Sequence, residues 1–161
     1  MLTGKEDLLQ SLIEAFLMEK GTREFYADAA QKALNADARA AFRELSTWEE
    51  KHMDYIESLY LSLQDDRDLE GFERFSGHAH APVAEGGIPV KDLAGKVETH
   101  PFLDDMGALN LALEIEGKAY NLYRRMSEAA ADTNAKVVFK EMMDQEQHHI
   151  DYLKKMRTRL A

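Results

Sequence analysis

The feature that most constrains this chain is an internal repeat. Residues 12–63 align without gaps on residues 109–160, an offset of 97 positions (109 − 12). Thirteen of the aligned positions are identical, whereas about three or four would match by chance at typical residue frequencies. Four of the six Tyr and two of the six His fall into these identical pairs. The chain is therefore predicted to contain two copies of one structural unit, separated by a dissimilar stretch over 64–104.

Each unit has the pattern of two amphipathic helices. In the second helix of each unit, seam positions recur at alternating intervals of three and four residues, the spacing of a buried helix face. These positions are Phe42, Leu45, Glu49, His52, Ile56, Leu59 and Leu63 in the first unit and Phe139, Met142, Glu146, His149, Leu153, Met156 and Leu160 in the second. The first helices carry a seven-residue ladder of Leu12, Glu19, Tyr26 and Ala33, repeated as Leu109, Glu116, Tyr123 and Ala130. Asx and Thr residues near 35–37 and 132–134 can cap the helix that follows, so each unit is predicted to be a helix hairpin.

Two hairpins with one apolar stripe each can bury those stripes against each other. The predicted fold is therefore all-α, a four-helix bundle in a single domain over 1–161. The hairpins are placed at 5–63 and 105–160. The connection over 64–104 contains all three Pro and five of the nine Gly, and it is predicted to be a long crossover loop with a helical turn near 90–94. Such a connection can run the length of a bundle.

Charge and composition argue against several classes of function. Twenty Lys and Arg against thirty Asp and Glu give a net charge of −10, which disfavours a nucleic-acid partner because phosphate binding needs a basic surface. The absence of Cys excludes disulfides, thiolate zinc sites and Cys-ligated iron–sulfur clusters from this chain. No stretch has the pattern of a membrane span or a secretory signal, so we expect a cytoplasmic protein without a membrane partner.

Six charged or titratable residues lie on the predicted apolar seams. They are Glu19, Glu49, His52, Glu116, Glu146 and His149. The second and fourth helices each contribute Glu-x-x-His, whose two side chains are one turn apart on one face, and the first and third helices each contribute one Glu. In both units 30 residues separate the first Glu from the second (49 − 19 and 146 − 116). An antiparallel hairpin that turns near the midpoint places these groups at one level of the bundle.

Four carboxylates at one level of a core would repel one another and lose their hydration, at several kcal/mol each. Any one of these residues alone could be a surface group, but no Lys or Arg occupies the seam positions to neutralise the set. Two divalent cations would balance the four negative charges, and this ligand set is the dinuclear carboxylate arrangement of helix bundles. Oxygen and nitrogen ligands suit iron or manganese, with zinc as a further possibility. A metal-free helical interaction module is the alternative.

Several residues beside the seam have weaker signals. Tyr26 and Tyr123, seven residues after the lone Glu of each unit, either donate hydrogen bonds to a ligand carboxylate or fill the core. Tyr55 and Tyr152 are interpreted as packing residues because each follows a His by three positions. Trp48 lies off the seam and is interpreted as packing on its flank.

The six-residue pattern resembles the ferritin-like superfamily, and more closely its rubrerythrin-like branch. The resemblance covers both hairpins and rests on the lone Glu, the Glu-x-x-His and the following Tyr of each unit. It implies that Glu49 and Glu146 bridge two metal ions. It also implies that Glu19 and Glu116 bind one ion each from the two ends of the site. His52 and His149 then complete the coordination of one ion each. Full rubrerythrins carry a Cys-ligated rubredoxin iron and an additional Glu in the third helix, whereas this chain has no Cys and has Ala119 at that position.

By this resemblance the protein is a diiron or iron–manganese oxidoreductase connected with oxidative stress that reduces peroxide or O2. Because the chain lacks a rubredoxin iron, an external reductase or small redox protein must supply the electrons. The alternative is an iron-binding or storage protein whose ferroxidase reaction only loads iron. A homodimer is expected, with hairpins paired within one chain or exchanged between two.

Overall fold

The described part of the chain is helical apart from two very short strands. The computed structural model describes residues 5–63, 83–84, 88–89, 104–131 and 133–161. Four long helices account for most of these residues: α1 (Lys5–Lys32), α2 (Ala36–Leu63), α3 (Asp105–Ala129) and α4 (Thr133–Leu160). They form the predicted four-helix bundle. No helix within the described ranges combines the length and the apolar character needed to cross a membrane.

Asx side chains cap the N-termini of two of the helices. The side-chain oxygen of Asn35 accepts hydrogen bonds from the backbone N–H groups of Asp37 at 2.8 Å and Ala38 at 3.0 Å. Asp104 caps α3 in the same way, accepting from the N–H of Gly107 at 2.9 Å. These bonds satisfy N–H groups that a helix cannot pair internally. The predicted break between the first two helices is therefore confirmed, with Asn35 as the capping residue.

Neighbouring helices contact each other through side chains. Helix α1 packs against α2, α3 against α4, and α2 against α4. Between α2 and α4, residue numbers rise on one helix as they fall on the other: Tyr152 donates to Glu44 at 2.8 Å, and His52 contacts Gln145 at 2.9 Å. At one end, the carboxylate of Asp105 accepts from the N–H of Asn35 at 2.7 Å and ties the α1–α2 turn to the start of α3.

The apolar core consists of two clusters, one towards each end of the bundle. The first cluster includes Leu12, Ile56, Tyr123 and Phe139, and the second includes Tyr26, Phe42, Ile115 and Leu153. Each cluster draws residues from all four helices. Along every helix, the titratable residues of the predicted seam fall between the two clusters. They form a polar layer with apolar packing above and below it.

The predicted seams agree closely with the observed burial. All eight positions of the two seven-residue ladders are buried, as are the seam positions of α2 and α4 except their last, Leu63 and Leu160, which are half-buried. The interpretation of Tyr55 as a packing residue is wrong, because this side chain is 44% exposed. Counted from His52, Tyr55 is three residues on and lies 60° short of a full turn, whereas Ile56 is four residues on and lies only 40° beyond it. Ile56 therefore takes the buried seam position.

The long connection contains two very short strands that the sequence did not predict. Strand β1 (Val83–Ala84) pairs antiparallel with β2 (Ile88–Pro89), with Val83 opposite Pro89 and Ala84 opposite Ile88. Strand β1 lies against α1. The helical turn predicted near 90–94 lies outside the described residues, as does most of the predicted loop over 64–104.

Candidate metal centre

The bundle brings all six predicted residues together in the polar layer. Glu19 lies on α1, Glu49 and His52 on α2, Glu116 on α3, and Glu146 and His149 on α4. All four carboxylates and His52 have no exposed surface, and His149 is only 3% exposed. The prediction that these groups meet at one level of the core is confirmed. Their role as metal ligands stays a prediction.

Each His uses its Nδ1 atom to face carboxylates. Nδ1 of His52 lies 3.3 Å from an oxygen of Glu19, 3.3 Å from Oε2 of Glu49 and 2.9 Å from Oε1 of Glu146. Nδ1 of His149 lies 3.2 Å from an oxygen of Glu116 and 3.1 Å from Oε1 of Glu49. It also lies 3.5 Å from Oε2 of Glu146. The two imidazole rings are stacked, with centroids 4.9 Å apart and planes 6° from parallel.

Glu49 and Glu146 differ from the other two carboxylates because each faces both His residues. In each, one oxygen points to Nδ1 of His52 and the other to Nδ1 of His149. Glu19 faces His52, and Glu116 faces His149. A carboxylate that presents one oxygen to each of two positions has the arrangement needed to bridge two ions. The site thus divides into two halves that share Glu49 and Glu146.

The layer contains acceptors that the protein itself does not satisfy. Five buried oxygens, both of Glu49, both of Glu146 and Oε2 of Glu116, have no hydrogen-bond partner among the described residues. The close contacts to Nδ1 have ion-pair distances but not hydrogen-bond geometry at these atoms. An unsatisfied buried acceptor costs about 1–3 kcal/mol, and more when it is charged. The five oxygens therefore have lone pairs that a metal ion can accept.

The two predicted Tyr residues are completely buried and donate hydrogen bonds across the bundle. The hydroxyl of Tyr26 on α1 donates to Glu116 on α3, and that of Tyr123 on α3 donates to Glu19 on α1. Each Tyr therefore holds the lone Glu of the other repeat unit. The two functions considered for these residues coexist, because the rings also stack on Phe42 and Phe139.

Without metal the layer retains protons. Burial, together with the charges of Glu19 and Glu116, raises the pKa of Glu49 well above its ordinary value. Burial and the Glu116 charge raise the pKa of Glu146 to about 7. For Glu116 burial acts in the same direction, but His149 and the Tyr26 hydroxyl outweigh it and the pKa is lowered.

The two imidazoles also hold their protons more tightly than usual. Burial would lower the pKa of His52, but Glu19 and Glu146 outweigh it and raise the pKa. Glu116 and Glu49 do the same for His149. Without metal, the protonated imidazoles therefore neutralise part of the negative charge of the carboxylates. A cation that binds to the same atoms displaces these protons.

The residues present fit a metal. Glu19, Glu49, His52 and Glu146 offer ligand atoms that all lie within 4.8 Å of one another. Glu49, Glu116, Glu146 and His149 form a second group of the same kind. The ligand atoms are carboxylate oxygens and imidazole nitrogens, without sulfur. These buried groups can hold a metal ion, and this donor set suits iron, manganese or zinc.

The sequence interpretation missed Gln145, and it predicted flank packing for Trp48, which is confirmed, but not the contact of Trp48 with a His. Oε1 of Gln145 lies 2.9 Å from Nε2 of His52. The ring of Trp48 stacks on that of His149, with centroids 5.2 Å apart and planes at 21°. The repeat contained a signal for both, because positions 48 and 145 are equivalent in the two units (48 + 97 = 145). Tyr152 does pack, as predicted, with its ring centroid 4.9 Å from that of Trp48 and the ring planes at 69°.

A surface cavity of about 490 Å³ between α2 and α4 reaches the layer. His149 and Gln145 lie among its lining residues, and Trp48 forms part of the wall. Glu141 and Asp144 are exposed side chains that line the same cavity. One side of the layer is therefore close to solvent, and small molecules or ions can approach His149 from this face.

Comparisons of the chain with protein-family models, curated proteins and solved structures found no match. The resemblance to the ferritin-like superfamily therefore rests on the residues of this chain alone.

Proposed function

We propose that the polar layer binds two divalent metal ions, and that the protein is a ferritin-like, rubrerythrin-like diiron oxidoreductase that reduces peroxide or O2. The observation that carries the proposal is the orientation of Glu49 and Glu146, each with one oxygen towards each His. Four carboxylates and two divalent ions give a neutral site. The finer topology, two hairpins joined by a crossover connection, belongs to the same proposal.

Two iron ions held here would supply two electrons for the conversion of one H2O2 and two protons to two waters. The residues of the chain prepare the site for this reaction. His52 and His149 would hold the ions through Nδ1, the atom that faces the carboxylates, and the lone carboxylates are fixed by the hydroxyls of Tyr26 and Tyr123. The apolar clusters above and below the layer exclude water along the bundle, and the cavity between α2 and α4 reaches the layer at His149.

The cavity supports a reactive site over a closed structural one. Structural metal sites are closed, whereas catalytic sites keep an open position. Here a route from solvent ends at His149, and a small oxidant fits a space of about 490 Å³. The chain contains no Cys and thus no thiolate iron centre of its own. An external electron donor, a reductase or a small redox protein, is therefore part of the proposal.

An iron-binding or storage function is the second candidate, and one observation favours it. The exposed carboxylates of Glu141 and Asp144 line the cavity that reaches the layer. Acidic side chains at the entrance of a cleft attract cations and raise their local concentration. In this alternative the ferroxidase reaction serves only to load iron, and the protein accumulates more iron than the layer itself holds.

Peroxide consumption by protein loaded anaerobically with two Fe(II) per chain separates these functions. We expect one H2O2 consumed per site without a reductant, and repeated turnover when a reduced small redox protein and its reductase are added. Glu49→Gln should abolish the reaction and Glu50→Gln should retain it, because Glu50 lies on the exposed face of α2. Iron uptake well beyond two per chain would favour storage. Sustained peroxide loss without any reductant would contradict the diiron proposal and point to dismutation at manganese.

The proposal concerns one chain, since all six residues come from a single copy. The site therefore does not require hairpins to be exchanged between two chains. The homodimer stays a prediction, which the molecular mass in solution tests. Reduction of peroxide as a protection against oxidative stress in the cytoplasm is likewise part of the proposal.

A further inference from the structure

The two halves of the polar layer are related by the sequence repeat but differ at the position whose side chain contacts the His of the partner helix. Gln145 contacts Nε2 of His52 at 2.9 Å, whereas the equivalent residue, Trp48, stacks its indole on His149. The two halves also differ one turn after the lone Glu, where buried Thr22 corresponds to Ala119, but the groups that face Nδ1 of each His correspond. Each has a lone Glu held by a Tyr of the other unit, and both share Glu49 and Glu146.

This difference matters because Nδ1 of each His faces the carboxylates and Nε2 is the remaining ring nitrogen. An N–H at Nε2 of His52 donates to the carboxamide oxygen of Gln145, which fixes the ring orientation and leaves Nδ1 as the metal-binding atom. For His149, no described residue makes a hydrogen bond to Nε2. Loss of the group that orients a metal-binding His typically costs 10–100-fold in metal affinity.

We propose that the two metal positions are inequivalent: the position at His52 holds a resident ion, and the position at His149 holds an exchangeable ion bound about 10–100-fold more weakly. This inference rests on the proposed dinuclear site. Gln145 is the positioning residue that creates the difference. The exchangeable position is also the accessible one, because His149 lines the cavity between α2 and α4. Two different divalent metals can therefore occupy the site in a defined order.

Titration of the metal-free protein with Mn²⁺, followed by electron paramagnetic resonance and equilibrium dialysis, tests the order of filling. We expect the first equivalent to give the spectrum of an isolated bound Mn²⁺. The second equivalent should convert it to the spectrum of a spin-coupled pair. A coupled pair already present during the first equivalent would show equal or cooperative binding and would overturn the inequivalence. Fewer than two Mn²⁺ bound at saturation would instead overturn the dinuclear site itself.

Substitutions at the two equivalent positions identify the cause. Gln145→Leu removes the acceptor with little change in volume and should weaken the first binding step about 10–100-fold. Trp48→Gln introduces the missing carboxamide beside His149 and should tighten the second step. A titration unchanged in either variant would overturn the role of this position.

Two control variants separate this role from a structural one. Gln147→Leu changes an exposed residue that donates to Asp151 rather than to a His, and it should leave both steps unchanged. Trp48→Phe retains an aromatic ring beside His149 without adding an acceptor, so it should also preserve the wild-type order. Weakening of the first step by Gln147→Leu to the same extent as by Gln145→Leu would overturn the assignment to Gln145.

Discussion

The polar layer and the two apolar clusters are equally buried but gain stability in opposite ways. In the clusters, side chains such as Phe42 and Phe139 have no exposed surface and contact apolar neighbours from all four helices. Their burial itself favours folding, at roughly 25 cal/mol per Å² of apolar surface. In the layer, the same degree of burial leaves five carboxylate oxygens without a hydrogen-bond partner among the described residues. Burial there opposes folding unless cations compensate it.

The repeat treats the apolar seam positions and the positions of the polar layer differently. Apolar seam positions specify the packing of the bundle and tolerate exchange between similar residues, as where Leu45 and Ile56 correspond to Met142 and Leu153. The six positions of the layer are identical in both units, as the proposed ligand role requires, because another side chain of similar size would not supply the same ligand atom. Substitutions in the two regions should therefore differ in whether their effect depends on metal.

The largest effect is expected in the apolar clusters. Phe42→Ala should lower the free energy of unfolding by about 3–5 kcal/mol, since it removes a fully buried aromatic side chain and leaves a cavity. The loss should be the same with and without metal, as measured by urea denaturation. Val137→Ala, at a half-exposed position, is the matched control and should cost under about 0.5 kcal/mol. If Phe42→Ala lowered the free energy of unfolding only in metal-loaded protein, the clusters would not be independent of metal, and the contrast with the layer would fail.

The second effect concerns the layer and depends on metal. Because the ions bind the folded site, divalent metal at 100 times its dissociation constant should stabilise the fold by about 2.7 kcal/mol per site. Thermal unfolding with Mn²⁺ or with a chelator measures the difference, which corresponds to roughly 2–4 °C per kcal/mol for a chain of this length. In Glu49→Gln the gain should shrink or disappear, while the stability of the metal-free form should not fall. Equal melting temperatures with and without metal in the wild type would contradict this account.

The pH dependence should have opposite signs in the two forms. In metal-free protein the pKa values of Glu49, Glu146, His52 and His149 are raised, so the folded state binds more protons than the unfolded state between pH 5 and 8. Its stability should fall as the pH rises through this window, by up to about 1.4 kcal/mol per pH unit for each proton. Glu116, with its lowered pKa, is ionised in both states throughout the window and adds no slope.

Metal-loaded protein should behave in the reverse way, because protons compete with the ions for the same atoms. Its stability should fall as the pH drops through the same window. Urea denaturation at pH 5, 6, 7 and 8, with Mn²⁺ and with a chelator, measures both slopes. Slopes of the same sign in the two forms would show that the layer does not exchange protons for metal.

The smallest effect is expected at the two Tyr hydroxyls. Tyr26→Phe removes the hydrogen bond to Glu116 but keeps the ring that stacks on Phe42. A loss of about 1.5–3 kcal/mol, typical of hydrogen bonds to a charged group, is the upper limit. The Mn²⁺ dissociation constant and the unfolding free energy are both to be measured. Tyr55→Phe, at an exposed position, is the control. No change in either quantity for Tyr26→Phe would show that the hydroxyl does not hold the carboxylate.

The bundle and the six residues of the layer could be predicted because both depend on periodicity. Helix period determines which residues share a face, and the repeat shows the same polar positions twice. The hydrogen bond from Tyr123 to Glu19 was only partly predictable, since the sequence placed both near the layer but did not show that their two helices bring them into contact. Which residue of α4 meets His52 depends on the rotation and offset of two helices. A pattern within one helix does not contain that information.

The same reason explains why the contacts of Trp48 and Gln145 with the two His residues were missed. Each lies 100° around its helix from the neighbouring seam Glu, which suggests the flank of the core. The antiparallel contact of α2 and α4 turns this flank towards the His of the partner helix. Tyr55 shows the converse case, since its spacing from His52 suggested the flank of the core but its side chain is exposed among the described residues.

The central claim, that the polar layer is a dinuclear metal centre, is tested most directly by counting ions. Metal-free protein is dialysed anaerobically to equilibrium against Fe(II) or Mn²⁺, and bound metal is measured per chain. The account predicts two ions for the wild type and for Glu50→Gln, whose side chain is exposed, and at most one for Glu49→Gln. Fewer than two ions in the wild type, or two ions still bound by Glu49→Gln, would contradict it.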